Sequence, residues 1–321
     1  MEARKSLAYI GLTLFGVFQM DASEASDVNY TGPLLTPGAA ILPRGMVNIE
    51  PYLVNSSSRY YYDNEGNKRR QSRTAQWQTL VPISVGITER FGMQATLGAT
   101  HNMAQGQHSD GMRFNDSSLR AQFLLLRPGG NGLRPALSVG ATHRFPTGRY
   151  DRLDNNPLNG SGNGLHGDRV DVLMQQSVPM PNGRPLRWRG RVAYDFNPGA
   201  VDIRSRSVYG TAAGFRGRAD LSHAWSASAS AEYSIDAYWV LAIDLAYQRA
   251  STTRVYGSMP VAGQTVAVDR PGTIGHNVSI APAVEYSINE KLGIVAGVHM
   301  SVAGRNSDAF VAPQAAVNMV F

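Results

Sequence analysis

From residue 45 onward, apolar and polar residues alternate with a period of two, the pattern of β-strands whose two faces meet different surroundings. Over residues 77–87, Trp77, Thr79, Val81, Ile83, Val85 and Ile87 share one face, while Gln76, Gln78, Ser84, Gly86 and Thr88 fall on the other. The next segment sets Phe91, Met93, Ala95, Leu97 and Ala99 against Gly92, Gln94, Thr96, Gly98 and Thr100. The same reading extends from Val47, Ile49 and Leu53 to a last strand with Val317, Met319 and Phe321 on one face. It predicts twelve strands.

The connections alternate too. Short turns are expected near residues 88–91, 127–133, 180–186, 234–237 and 288–291. Longer polar loops are expected near 55–73, 104–116, 146–168, 197–217 and 250–275, with a shorter one near 303–307. Short turns at one end and long loops at the other are the habit of outer-membrane barrels. Lipid offers no hydrogen bonds to a sheet edge, so a spanning sheet must close on itself. The fold class read here is therefore all-β: a transmembrane, antiparallel, up-and-down β-barrel of about 12 strands with short periplasmic turns and long extracellular loops. An even strand count puts both termini on the periplasmic side. Aromatic residues fall where the bilayer interfaces should lie: Phe91, Trp188, Tyr233, Trp239, Tyr286 and Phe321 near short turns, and Trp77, Phe145, Phe196 and Tyr247 near long loops. A soluble β-sandwich would explain the alternation but neither the two girdles nor the loop asymmetry.

Composition narrows the class. The 321 residues contain no Cys, which excludes a disulfide framework and a thiolate metal site. Only 17% are charged, yet after the first twenty residues no apolar run is long enough for a membrane-spanning helix. The formal net charge is +6, but the basic residues are scattered among strand-like segments, so nucleic acid is not expected as a partner.

The N-terminus reads as a signal peptide over residues 1–25. Arg4 and Lys5 open it, residues 7–20 form its apolar core, and Ser23 and Ala25 fit a cleavage site. Its removal takes away two basic and three acidic residues and raises the net charge by one. Residues 26–44, rich in Pro and Gly, form a periplasmic N-terminal segment and a candidate plug; a loose tail is the alternative. Residues 45–321 form the barrel.

Several stretches resemble the outer-membrane transporter family of the meta-pathway of phenol degradation, broadly similar to fatty-acid-transporter-like barrels. They are TGPLLTP and LPRGMVNIEPYL within residues 31–53, VGITERFGMQATLG at 85–98 and FPTGRYD at 145–151. The final AAVNMVF resembles the terminal signal read by barrel-assembly machinery. The resemblance implies passive passage of small hydrophobic or aromatic molecules across the outer membrane, without a cofactor.

Candidate chemistry lies on the polar face. Arg187, Arg189 and Arg191 share a lumenal face with Asp195, and Arg120 and Arg144 should also point inward. They form either an electropositive constriction or a ladder of ion pairs with Asp171, Asp220, Glu232, Asp244 and Glu285. Gly162, Gly164 and Gly167 match GxGxxG, but a polar loop precedes them and a strand follows, the reverse of a dinucleotide site. Asp151, Asp154, Asn155, Asn156 and Asp168 fit no regular calcium loop. No Ser, His and acid spacing stands out for catalysis, so an enzyme is not expected. The alternatives to a channel are an outer-membrane enzyme of lipase or deacylase type and a structural or adhesive barrel with surface-exposed loops.

Overall fold

The computed structural model describes residues 28–129, 134–197 and 199–321. The expected signal peptide and its cleavage point lie outside the described residues. Twelve long strands close a single antiparallel barrel: β2 (Tyr52–Tyr62), β3 (Lys68–Thr88), β4 (Phe91–Ala104), β7 (Ser117–Leu126), β8 (Ala136–Phe145), β9 (Gly167–Pro179), β10 (Pro185–Phe196), β13 (Ala224–Ser234), β14 (Trp239–Ser251), β17 (Ile274–Asn289), β18 (Leu292–Arg305) and β19 (Ser307–Val320). Each pairs with its neighbours in chain order, and β19 returns to β2. Three short strands complete the sheet: β1 (Val47–Ile49), β5 (Gln107–His108) and β6 (Arg113–Phe114).

Closure is completed at the C-terminus. Phe321 and Val47 exchange backbone bonds, Val47 N–H to Phe321 O at 3.1 Å and Phe321 N–H to Val47 O at 2.8 Å. β1 thus bridges β19 and β3 at the turn end, where β2 has not yet begun.

The two faces follow the sequence pattern. Leu97, Val172, Val192, Leu241, Ile243 and Leu245 are exposed on the outer face, where lipid would cover them. Gln94, Arg120, Asp171, Arg189, Glu232 and Asp244 alternate with such residues and are buried inside. Tightly packed ring pairs sit at both ends, Trp239 with Tyr286 at the turn end and Tyr194 with Trp225 at the loop end, each with centroids 4.5 Å apart.

The loop end departs from expectation. Residues 55–73 form a β-hairpin, because β2 and β3 keep pairing as far as Tyr62 and Lys68. Residues 250–275 contain a second hairpin, β15 (Arg254–Val261) and β16 (Gln264–Arg270), joined to β11 (Ala200–Ile203) and β12 (Arg216–Asp220) in a separate four-stranded sheet. Leu153, Val201, Ile203, Val208, Phe215 and Val255 pack beneath that sheet into a small core of their own. Outside lipid both faces of a strand meet water or loop, so strands there lose the alternation by which the others are recognised.

Candidate functional site

The inner wall has two unlike halves. On β7 to β13 it is charged. Asp171 on β9 accepts from Arg120 Nη1 and Nη2 at 2.7 and 2.8 Å and from Arg191 Nη2 at 2.7 Å. Arg120 reaches Asp171 across β8 only because Gly140 stands between them: a Cβ there would lie 2.2 Å from both Arg120 Nη2 and Asp171 Oδ1. Lower on the wall, Glu232 lies opposite Arg187 in register and accepts from Arg187 Nε and Arg189 Nε, both at 2.8 Å. These side chains are almost wholly buried, so the paired charges and hydrogen bonds must offset their desolvation.

The other half, on β14, β17, β18, β19 and β2, carries a patch of small apolar residues among buried polar ones that include Asp244, Glu285, His299 and Gln314. Ala242, Ala281, Ala283, Val295, Ala312 and Ala316 form the patch beside Tyr52 and Val54.

Residues 28–46 run through the lumen between these halves. They enter from the turn end, where Tyr30 Oη donates to Pro185 O at 3.4 Å and the Arg187 guanidinium lies 3.8 Å from the centre of the Tyr30 ring. Glu285 accepts from Thr31 Oγ1 at 3.1 Å and Gly32 N–H at 2.9 Å. Asp244 accepts from Leu35 N–H at 3.2 Å and Thr36 N–H at 3.0 Å. Leu34 and Leu35 pack on the apolar patch. Gln122 Nε2 donates to Gly38 O and Ala39 O, each at 3.2 Å, and Ser138 Oγ also donates to Ala39 O. The segment leaves past Gly86, where a Cβ would lie 2.2 Å from Pro43 O, and continues into β1.

The carboxylates thus divide their work. Asp171 and Glu232 hold arginines of the wall, while Asp244 and Glu285 hold backbone amides of the inner segment. Asp195 is bound not to Arg187, Arg189 or Arg191 but to Arg169, at 2.7 Å across β9 and β10. Arg169 was not among the sequence candidates, although its position two residues before Asp171 puts it on the same face. Arg144 donates from Nη2 to Asn197 Oδ1 at 2.9 Å near the loop end. Asp220 lies on β12, away from the ladder.

The loop end dips toward the lumen. Asn102 Nδ2 donates to Leu158 O at 2.9 Å and to Gly160 O at 2.8 Å. Asp116 accepts from Gly148 N–H and Asn163 N–H, both at 2.9 Å; burial raises its carboxyl above the ordinary value, and the two amides oppose that rise. The acidic residues considered for calcium point to separate partners: Asp151 to the amides of Arg204 and Ser205, Asp154 to Arg149, and Asp168 to His143. Ser109 Oγ lies 2.9 Å from His101 Nδ1, but Ser109 is fully buried, closed to a substrate.

On the outer wall, a hollow of about 560 Å³ is lined by Phe91, Phe123, Val139, Val172, Tyr194 and Trp225 among others. Its lining is almost entirely apolar.

The fold has solved counterparts. The COG4313 outer membrane channel from Pseudomonas putida F1 superimposes with a TM-score of 0.60 at 15% identity, over 88% of this chain and 98% of that one. The chain has the fold of an outer-membrane channel barrel. The TodX monoaromatic hydrocarbon channel matches with a TM-score of 0.40 at 10% identity, over 87% of this chain and 89% of that one. The KdgM porin matches with a TM-score of 0.41 at 10% identity, over 85% and 99%. No protein-family model matches the chain, and no curated protein matches it in sequence.

Proposed function

We propose that the protein is an outer-membrane channel for the passive uptake of small hydrophobic or aromatic molecules, akin to the transporters of the phenol meta-pathway. The observation that carries this reading is the occupied lumen. Residues 28–46 pack Leu34 and Leu35 against the apolar patch and bind Asp244 and Glu285, which leaves little room for a wide water-filled pore. A narrow path beside an apolar wall suits solutes that shed water cheaply. The apolar hollow on the outer face, with Phe91, Phe123 and Trp225 in its lining, offers such solutes a place beside the wall.

In this reading residues 1–25 direct export, the turn end faces the periplasm, and the C-terminal strand is the part engaged by barrel-assembly machinery. Residues 26–44 act as a plug. Arg120, Arg187, Arg189 and Arg191 brace the wall, and Arg187 and Arg189 also fix where the plug seats. The partners are outer-membrane lipid and the solute.

Uptake of toluene and of a sugar of similar size into proteoliposomes tests the proposal. Faster entry of toluene than into protein-free vesicles, with little sugar entry, supports it. No uptake together with phospholipid hydrolysis would replace it with the enzyme reading. Neither activity, with loop-dependent binding to cells, would favour an adhesive barrel.

A further inference from the structure

Several basic groups at the loop end have acidic partners. Arg69 binds Asp63 and Arg254 binds Asp269, both at 2.8 Å. One row on the outer face does not. Arg249 on β14 lies opposite His276 on β17, and His276 lies opposite Arg305 on β18. Among the described residues, the Arg249 side chain makes no hydrogen bond or ion pair. Arg305 Nη2 donates only to the neutral amide oxygen of Asn64, at 3.3 Å. The two guanidinium groups flank His276, and neither has an acidic partner of its own among the described residues.

The height of the row indicates which anion. Outward residues on β14 run from Trp239 through Leu241, Ile243 and Leu245 to Tyr247. That apolar run covers about 27 Å of strand, or roughly 20 Å along the membrane normal at a tilt of about 40°. Arg249 is the next outward residue, about 5 Å above the Tyr247 ring. It therefore stands at headgroup level, with Trp225 beside it in register. Arg249 and Arg305 are two strands apart, about 10 Å between backbones, so both guanidinium groups can converge on one phosphate above His276.

We propose that Arg249, His276 and Arg305 form a binding site for a phosphate of the outer-leaflet glycolipid, the phosphorylated lipid A part of lipopolysaccharide. The two arginines supply charge-assisted hydrogen bonds to the phosphate oxygens, and the imidazole N–H supplies a third. The acyl chains run down the apolar face over Tyr247 and Leu245. The inference rests on the outer-membrane orientation given above. Its test is separate from solute uptake, because lipid retention does not depend on an open path.

The experiment uses the full mature chain, delipidated in detergent, with bisphosphorylated lipid A and the same lipid stripped of phosphate as probes. Native mass spectrometry reads bound copies. The expected result is at least tenfold tighter binding of the phosphorylated lipid. That preference should vanish in Arg249→Ala/Arg305→Ala, be partly kept in the double Lys variant, and be unchanged in Arg216→Ala, an exposed arginine outside the row. Heat-modified gel migration confirms that each variant is folded. Equal binding of both lipids, or an unaltered preference in the double Ala variant, overturns the proposal. So does displacement of the lipid by millimolar inorganic phosphate, which would mark a site for the free anion.

Discussion

Replacing Asp244 by Ala should loosen the inner segment without opening the barrel. The carboxylate accepts two backbone N–H groups, from Leu35 at 3.2 Å and Thr36 at 3.0 Å, and is fully buried. Alanine leaves both donors without their acceptor. Each orphaned buried donor costs about 1–3 kcal/mol, so seating of the segment should weaken by about 2–6 kcal/mol. At 1.4 kcal/mol per decade, this is a shift of roughly 30-fold to 20,000-fold in the seated-to-released ratio. Asp244→Asn keeps one acceptor and should lose about half that free energy. Amide hydrogen exchange followed by mass spectrometry reads the effect directly. Peptides covering residues 29–42 should lose protection by that factor, while those of β9 and β10 keep theirs. Unchanged exchange in 29–42 would refute the argument that these two bonds hold the segment. An equal loss throughout the strands would show that Asp244 supports the wall instead.

Glu232→Gln should destabilise the barrel by about 3–5 kcal/mol, because it leaves Arg187 and Arg189 buried around a neutral group; urea unfolding in lipid vesicles, followed by Trp fluorescence, measures it. At the tip of the β2–β3 hairpin, the hydrogen bond from Arg69 lowers the Asp63 carboxyl from 3.8 to about 2. A lowered carboxylate value means that the tie is present above the ordinary value and is lost as pH falls through about 2. Side-chain ¹³C NMR should give that midpoint and see it move back toward 3.8 in Arg69→Ala.

The barrel was legible because lipid and lumen impose opposite chemistry on alternate residues. On β4, Leu97 faces out and Gln94 faces in, and one-letter periodicity is enough to separate them. The apolar patch was harder to read. On β14, β17 and β18 the inner residues Ala242, Ala281 and Val295 are apolar although Asp244 and Glu285 share those faces, so at these positions the contrast with Leu241, Ile280 and Ile294 is one of size, not polarity. The β2–β3 and β15–β16 hairpins were read as loops because water removes the contrast while backbone pairing continues.

The candidate site was legible to a similar depth. Arg187, Arg189 and Arg191 fall on one face by spacing alone. Their division between Glu232 and Asp171 depends on the register of β10 against its two neighbours and on the missing side chain at Gly140. None of that is local in sequence. Nor is the reach of Thr31 to Glu285, more than 250 positions away.

The central claim is that this barrel, with its lumen occupied, passes small hydrophobic molecules and few polar ones. Entry of radiolabelled toluene and of a labelled monosaccharide should be timed in vesicles with a lipopolysaccharide outer leaflet, with and without the protein. The account predicts that the protein speeds toluene entry several-fold and leaves sugar entry near the protein-free rate. Sugar entry accelerated as much as toluene entry, or toluene entry no faster than without the protein, would contradict it.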